Sequence, residues 1–407
     1  MTASAHIVTV GGMPSAGADD AAVAAALAAA GLPVASRVFI EDDEAALERA
    51  LGSDEALTVV LAGGGGSAGD IVRRVLARVT GARLVLNERV LAALQERYRR
   101  LDRPLPRRAE RLALLPQGST VWVTADVEAG WVLESGPRAF AVLARDAGVQ
   151  AMIEQHLAPF ARAWASGRGA ALVRTLRTAG LSPADVEERL VDWLGREGEV
   201  TVSTIPADGE VWVRLRARGS TPAEIARSLA KADAAIVAIL GEDCYGRDGD
   251  TLELVVGRML LERRLTLAVA ESCTGGLLGH RLTNIPGSSA YFERGVLVYS
   301  NRAKEELLGV PEGVLRAHGA VSAPCAEAMA RGVATRAGAP CGLAITGIAG
   351  PDGGTPAKPV GTVFVGLAVG GEALARRFQF AGDRAAVKWQ STQAALDMLR
   401  RSLKGQP

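Results

Sequence analysis

Short apolar runs alternate with helical patterns in two long segments of the sequence, about 1–165 and about 251–404. In the first segment the runs IVTV, RVFI and TVVLA are separated by an alanine-rich helical pattern near 19–31 and by another from Glu44. The second segment repeats this order with the runs LTLAVA, GVLVYS and GLAIT. Strands that alternate with crossover helices predict a parallel sheet. We therefore expect an α/β domain at each end of the chain.

The segment between these two, about 168–242, has a different order of elements. Its patterns predict a helix near 170–179, a helix over 182–195, the strands EVTVSTIPA and GEVWVRLRA, and a helix over 221–239. This order indicates a small α+β domain with an antiparallel hairpin. The glycine-rich and acidic stretch 241–250 is interpreted as a linker. The predicted domains are 1–167, 168–242 and 251–407.

Length, charge and cysteine content narrow the functional classes. The chain has 407 residues, too many for one ordinary domain, and its formal net charge of +1 argues against direct nucleic-acid binding. The four cysteines are widely spaced and form no CxxC pair, so neither a zinc site nor a disulfide framework is indicated. Without a signal-peptide pattern or a membrane span, the protein is expected to be cytoplasmic, with no metal and no cofactor.

The stretch ESCTGG, residues 271–276, directly follows the predicted strand LTLAVA. Ligands bind at the carboxyl ends of strands in open α/β sheets, and paired glycines let the backbone approach a ligand closely. Ser272 and Thr274 could each serve as a nucleophile, a phosphate contact or a helix N-cap. On spacing alone a plain capped helix start is as good an explanation as a catalytic turn.

Lys304 lies in the first turn of a predicted helix, 301–308, that Ser300 or Asn301 would cap. The positive end of a helix disfavours an ammonium group, so a desolvated lysine at this position has a lowered pKa and can act as a general base. The alternative is a solvated lysine paired with Glu305 or Glu306, which is the ordinary fate of a lysine.

Two further loops follow predicted strands of the same segment. The loop 346–363 carries Thr346 as a donor and Lys358 as a candidate anion contact, and Arg384 follows a predicted N-cap at Asp383. The alternatives are that the loop 346–363 is only a long turn between strands and that Arg384 forms a surface ion pair. Together the loops predict a site at which an activated serine attacks a small anionic substrate.

The stretches AVAESCTGGLL, YSNRAKEELLGV, GAVSAPCAEAMA, TGIAGPDGG and GDR resemble the competence/damage-inducible protein CinA family. The resemblance implies an N-terminal molybdopterin-binding-like α/β domain, a small KH-like α+β middle domain, and a C-terminal α/β domain that deamidates nicotinamide mononucleotide. It implies hydrolysis of that substrate to nicotinate mononucleotide and ammonia, in pyridine nucleotide salvage. It further implies a homodimer and leaves open a non-catalytic role with a DNA-repair protein partner.

The resemblance also implies roles for individual residues. Ser272 is the expected nucleophile and Lys304 the base that accepts its proton. N–H groups around Thr274, Gly275 and Gly276 are expected to hold the oxyanion. Arg384 and that helix N-terminus are expected to take the 5′-phosphate or ribose, and which of them binds which group stays open. The remaining expected substrate contacts are Tyr299 and Thr346. Cys273 is the competing nucleophile, but no histidine pattern accompanies it, so a packing role is favoured.

The N-terminal segment departs from the family at the positions that matter for pyrophosphatase chemistry. Gly12 and Met13 stand where the family has a Thr-Glu pair, and Ile71 follows Asp70 where a second aspartate is expected. Lost carboxylates remove ligands for a divalent metal. We therefore expect a domain that folds but has little or no ADP-ribose pyrophosphatase activity, with the glycines at 63–66 as a turn or a nucleotide contact.

The middle segment lacks the GXXG loop of RNA-binding KH domains.

Overall fold

The computed structural model describes residues 4–11, 17–62, 66–124, 129–145, 148–166, 171–207, 209–219 and 221–405. The chain forms two compact units. One consists of Met1–Arg174, Glu197–Thr201 and Leu215–Ala232, and the other of Thr175–Arg196, Val202–Arg214 and Asp233–Pro407. None of the described helices is long and apolar enough to cross a membrane.

The N-terminal segment forms a six-stranded sheet with the strand order β2-β1-β3-β8-β7-β6. Its strands, with the short pair β4 and β5 that lies outside this sheet, are β1 (Ala5–Val10), β2 (Val34–Ile40), β3 (Leu57–Ala62), β4 (Leu84–Leu86), β5 (Leu114–Pro116), β6 (Thr120–Trp122), β7 (Gly130–Ser135) and β8 (Arg138–Ala144). The strands β2, β1, β3 and β8 are parallel, and β7 and β6 are antiparallel to their neighbours. The helices are α1 (Gly17–Ala29), α2 (Glu44–Leu51), α3 (Gly66–Thr80), α4 (Glu88–Arg100), α5 (Val149–Met152) and α6 (Ala158–Ala165).

Both faces of this sheet are covered. In β1, Ile7 packs into one apolar cluster and Val8 into another, and in β3 Val59 and Val60 divide in the same way. Successive side chains of a strand point to opposite faces, so strands that are buried on both faces need apolar residues at most positions. This explains why the apolar residues of these strands follow one another instead of alternating with charged ones.

The middle segment contains a four-stranded sheet with the order β10-β11-β9-β12. Its elements are β9 (Ala171–Thr178), α7 (Pro183–Arg189), β10 (Val200–Ala207), β11 (Glu210–Arg218), α8 (Pro222–Leu240) and β12 (Cys244–Arg247). The helix predicted near 170–179 is wrong, because that segment is β9. Leu176 and Thr178 are both fully buried, a spacing of two that belongs to a strand. The helix predicted over 182–195 is confirmed only as far as Arg189.

The interpretation of 241–250 as a linker is also wrong. Residues Cys244–Arg247 form β12, which pairs antiparallel with β9, and Cys244 and Tyr245 are buried. The glycine and aspartate pattern belongs to the turn that follows this strand. Asp248 has a positive φ of 51°, and Asp250 accepts a hydrogen bond from the backbone N–H of Arg247 at 2.9 Å. A polar turn therefore concealed a short strand.

The C-terminal segment forms a five-stranded sheet with the order β14-β13-β15-β16-β17. The strands are β13 (Leu267–Glu271), β14 (Phe292–Leu297), β15 (Cys341–Gly347), β16 (Thr362–Val369) and β17 (Glu372–Gln379). The helices are α9 (Leu252–Arg263), α10 (Leu277–Thr283), α11 (Asn301–Leu308), α12 (Glu312–His318), α13 (Ala323–Ala337) and α14 (Arg384–Lys404). The α/β class predicted from the alternating pattern is confirmed.

The pairing directions bring four loops to one edge of this sheet. β14, β13 and β15 are parallel, so their carboxyl ends meet at that edge. β16 and β17 each run antiparallel to the preceding strand, so the start of β16 and the end of β17 lie at the same edge. The loops after β13, β14, β15 and β17 therefore all open there.

Close packing of α13 on the sheet depends on two glycines. A Cβ on Gly342 of β15 would lie 2.3 Å from the carbonyl oxygen of Ala330, and one on Gly366 of β16 would lie 2.1 Å from that of Ala326. Real Cβ atoms do not approach an oxygen so closely, so only glycine lets the helix backbone come this near. α13 contributes Cys325, Met329 and Val333 to the core on this face.

Candidate active site

Ser272 is held in a tight turn at the carboxyl end of β13. Its backbone N–H donates to Ile345 of the neighbouring strand β15 at 3.0 Å, and its carbonyl accepts from the N–H of Gly275 at 3.2 Å. Gly275 and Gly276 have φ values of 62° and 96°, a region that glycine occupies without strain. The serine side chain is consequently fixed at the sheet edge, with 8% of the residue exposed.

Glu271, the last residue of β13, caps the helix that follows the turn. Its Oε2 accepts from the N–H groups of Gly276 at 3.1 Å and Leu278 at 3.0 Å, and its Oε1 accepts from Gly279 at 2.8 Å. The N-cap position is Gly276, without a side-chain cap of its own. The helix start capped by Ser272 or Thr274 is therefore wrong: a carboxylate reaching back from the strand satisfies these donors instead.

This capping also changes what the turn can bind. Glu271 already accepts from the N–H groups at the start of α10, so a phosphate at this N-terminus, or an oxyanion at the Gly276 N–H, would have to displace the carboxylate. The Gly275 N–H is taken by the Ser272 carbonyl. Thr274 is fully buried, and within the described part of the chain its Oγ1 has no hydrogen-bond partner.

Lys304 projects from the first turn of α11 to the Ser272 hydroxyl. Ser300 caps this helix by accepting from the Ala303 N–H at 3.1 Å. The Lys304 Nζ lies 3.2 Å from Ser272 Oγ, 2.7 Å from the Val298 carbonyl oxygen and 3.3 Å from that of Tyr299. With 1% of the residue exposed, the alternative of a solvated lysine is wrong.

The surroundings of Lys304 favour its neutral form. Burial lowers the pKa of the Lys304 ammonium below its ordinary value of 10.5, and the neighbouring thiols of Cys325 and Cys273 offset this only in part. Among the described residues, no carboxylate lies within ion-pair distance of Nζ. A buried ammonium without a counter-charge is costly, so the proton is more easily lost than from a surface lysine.

The remaining predicted contacts lie in the loops of the same sheet edge, at different depths. Arg384 is exposed, donating to the Gly350 carbonyl at 2.7 Å and lying 3.5 Å from the hydroxyl of Tyr299, which is 69% exposed. Thr346 is 1% exposed and donates to the Ala320 carbonyl at 2.9 Å. Lys358 donates to the His318 carbonyl at 3.1 Å, so it ties two loops together.

Cys273 lies beside the turn with its thiol in the core. The residue is 6% exposed and packs in the main apolar cluster of this domain. Burial raises the pKa of the Cys273 thiol to about 11. His280, the nearest histidine along the chain, is within 3.1 Å of the Asn284 side chain. A thiol that holds its proton at neutral pH and lacks a base is a poor nucleophile.

The sequence left the role of Glu271 open, between orienting Lys304 or Arg384 and facing a neighbouring helix end, and it did not single out Lys388. The capping role of Glu271 has a sequence signal, a carboxylate at the end of an apolar run before paired glycines. Lys388 lies on α14, and its Nζ is 3.7 Å from the position that a Cβ on Gly275 would take. Its spacing of four from Arg384 puts both on one helix face, which is the signal that could have identified it.

The positions that bear on pyrophosphatase chemistry are only partly visible. Gly12, Met13 and glycines 63–65 lie outside the described residues. Asp70 pairs with Arg73 and, at 3.2 Å, with Arg111. Guanidinium groups thus occupy this carboxylate, and no cluster of three or more His, Cys, Asp or Glu side chains suited to a metal occurs among the residues the structure describes.

Family comparisons cover nearly the whole chain. Residues 249–403 match the CinA C-terminal domain, 173–246 the KH domain of damage-inducible protein CinA, and 7–161 a domain described as "Probable molybdopterin binding domain". A CinA-like protein of Geobacter sulfurreducens is 39% identical over 388 residues, covering 94% of each chain. This chain belongs to the CinA family.

A second CinA-like protein matches most of the chain, and a solved structure matches part of it. The CinA-like protein of Syntrophus aciditrophicus is 41% identical over 374 residues, 89% of this chain and 88% of its own. A crystal structure of a CinA superfamily protein from Klebsiella pneumoniae is 38% identical, with a TM-score of 0.37, and covers 38% of this chain and 96% of its own. The family resemblance drawn from the sequence motifs is confirmed.

Proposed function

We propose that this CinA protein is an amidohydrolase that converts nicotinamide mononucleotide and water to nicotinate mononucleotide and ammonia, in pyridine nucleotide salvage. The chemistry is assigned to residues 251–407, with Ser272 as nucleophile and Lys304 as base. The observation that carries the proposal is the 3.2 Å separation of Lys304 Nζ and Ser272 Oγ around a lysine that is 1% exposed. A desolvated amine beside a hydroxyl can remove its proton near neutral pH.

The hydrogen bonds of Lys304 orient the lone pair of its neutral amine. A neutral amine has two N–H groups and one lone pair, and the carbonyls of Val298 and Tyr299 provide acceptors for both N–H groups. The lone pair is then free to accept the Ser272 hydroxyl proton. Protonation of the amine adds a third donor, which can be passed on to the leaving nitrogen.

The proposed reaction proceeds in two balanced steps. Ser272 Oγ attacks the carboxamide carbon as its proton passes to Lys304, and that proton then goes to the amide nitrogen, which leaves as ammonia. The resulting ester is cleaved by water, whose proton returns through Lys304 to Ser272 Oγ. Thr274, with its unpartnered Oγ1 and its backbone N–H beside the turn, is the proposed donor to the oxyanion.

Ammonia release from nicotinamide mononucleotide tests this proposal directly. We expect release by the full chain, and loss of at least about a hundredfold in Ser272→Ala and in Lys304→Ala. The Cys273→Ala variant is the matched control within the same turn. Release that survives Ser272→Ala, or a wild-type chain that releases none, contradicts the assignment.

The other expectations of the resemblance are kept as proposals. Light scattering on the full chain tests the homodimer. If the chain has no amidase activity, a non-catalytic role with a DNA-repair protein becomes the leading proposal. Metal-dependent ADP-ribose hydrolysis is the second enzymatic candidate, and the two arginines on Asp70 count against it. A cytoplasmic location agrees with the expected substrate.

A further inference from the structure

Lys388 is a cation beside the Ser272 turn that the proposed reaction leaves unused. It is partly buried on α14 and, in the described ranges of the chain, it forms no hydrogen bond and no ion pair. Its Nζ is 3.7 Å from where a Cβ on Gly275 would lie. The ammonium group therefore lies over the turn, at contact distance from the position that a side chain at 275 would take. Such an ammonium group, without a carboxylate partner, is suited to an anion.

The other groups that could bind an anion at this edge are already engaged. The N–H groups at the start of α10 are satisfied by Glu271, and Lys304 faces Ser272. Lys358 is bound to the His318 carbonyl. Arg384 donates from one terminal nitrogen to the Gly350 carbonyl, and its other terminal nitrogen lies near the Tyr299 hydroxyl. Among the residues that the structure describes at this edge, the cations left for a ligand are Lys388 and part of Arg384.

The position of Lys388 separates it from the reacting atoms. Ser272 and Gly275 close a hydrogen-bonded turn, so their Cα atoms lie within about 7 Å of each other. An ammonium group over Gly275 thus lies near the turn but three residues from the nucleophile, whereas Lys304 is hydrogen-bonded to Ser272 Oγ itself. Arg384, four residues earlier on the same helix face, extends the positive charge toward Tyr299.

We propose that Lys388 binds the phosphate group of the substrate and, with Arg384, makes the site specific for phosphorylated molecules. This inference rests on the proposed function for the identity of the reacting end. Phosphate carries close to two negative charges at neutral pH, and lysine binds it as a point charge. Lys388 is a specificity-determining residue, and the reaction at Ser272 proceeds without it.

Kinetics with two substrates separate this role from a structural one. In Lys388→Gln we expect KM for nicotinamide mononucleotide to rise about tenfold or more, with kcat changed little, because one charge-assisted contact is lost. Hydrolysis of nicotinamide riboside, which lacks the phosphate, is expected to be unchanged. Lys388→Arg should restore most of the affinity. Lys404→Gln, at the far end of the same helix, is the control and should behave as wild type.

A binding measurement keeps the test independent of the reaction. Calorimetry with ribose 5-phosphate should show binding to the wild-type chain that weakens about tenfold in Lys388→Gln and not in Lys404→Gln. This result supports the inference even if no amidase activity exists. Equal effects of Lys388→Gln on both kinetic substrates, or ribose 5-phosphate binding that is absent or insensitive to Lys388, overturn it.

Discussion

The Lys304 amine lies 3.2 Å from the Ser272 hydroxyl, although 32 residues separate them in the chain. Each comes from the carboxyl end of a parallel strand, Ser272 after β13 and Lys304 after β14. The pairing of these strands fixes the two loops side by side. Burial of the lysine then provides the lowered pKa that a base needs.

The pH dependence of the proposed reaction should follow Lys304. Only the neutral amine accepts a proton, so kcat/KM should rise with pH through the Lys304 pKa and level off above it. Because burial lowers that pKa, the rise should be centred below the ordinary lysine value of 10.5. Initial rates of ammonia release from pH 5 to 10 measure it.

A second variant tests whether this titration belongs to Lys304. Lys304→Arg keeps the positive charge but cannot lose its proton in this range, so it should be inactive at every pH. A rise centred near pH 10.5 in the wild type, or an active Lys304→Arg enzyme, would contradict the role of the buried amine.

Cys273 should be dispensable for the chemistry. Its thiol is buried and its pKa is raised to about 11, so almost none of it is thiolate at neutral pH. We expect Cys273→Ala to keep most of the wild-type kcat and to lose on the order of 1 kcal/mol of stability by removing a small buried group. Steady-state kinetics and thermal unfolding check both values. Loss of activity in a folded Cys273→Ala would revive the thiol as the nucleophile.

Glu271 should be needed to hold the turn and α10 together. Glu271→Gln removes the negative charge and one acceptor oxygen from three backbone N–H groups. We expect Glu271→Gln to lower the stability of the turn and α10 by about 1–3 kcal/mol, which should appear as faster hydrogen exchange at the start of α10. Glu293→Gln, on exposed β14, is the control. Unchanged exchange at Gly276 and Leu278 would show that the carboxylate is not their acceptor.

Gly366 should resist even the smallest substitution. A methyl group there would lie 2.1 Å from the Ala326 carbonyl oxygen, so α13 would have to move away from β16. We expect Gly366→Ala to cost about 1–3 kcal/mol or more in denaturant unfolding. Gly313 of α12 has nothing within 4 Å of its Cβ position, and Gly313→Ala should stabilise by up to about 1 kcal/mol. Equal stability of the two variants would disprove the close approach.

The N-terminal domain should not hydrolyse ADP-ribose in the presence of Mg²⁺ or Mn²⁺. Asp70 is held by Arg73 and Arg111, and a divalent cation would have to displace both guanidinium groups. Release of AMP and ribose 5-phosphate, followed by chromatography, measures this activity. Metal-dependent turnover that is lost in Asp70→Asn would show that the site is functional.

The order of strands and helices at both ends was predictable from the sequence because each element repeats a local pattern. Alternating apolar runs and helical periods identified β13, β15, α11 and α14, and the N-cap at Asp383 was predicted from a single residue. The middle segment was harder. β12 is only four residues long, and it is a strand because it pairs with β9, more than 60 residues earlier in the chain.

The sequence by itself determined the fold class, the family and the residues that follow each strand. Only the tertiary structure decided which of these residues come together and what they contact, because distance, burial and competition for hydrogen-bond donors arise when separate strands meet. Ser272 and Thr274 were equal candidates for a helix cap until Glu271 was seen to occupy those donors. By sequence alone, Lys304 could be a solvated surface lysine. The parallel pairing of β13 and β14 places it beside Ser272, where it is buried.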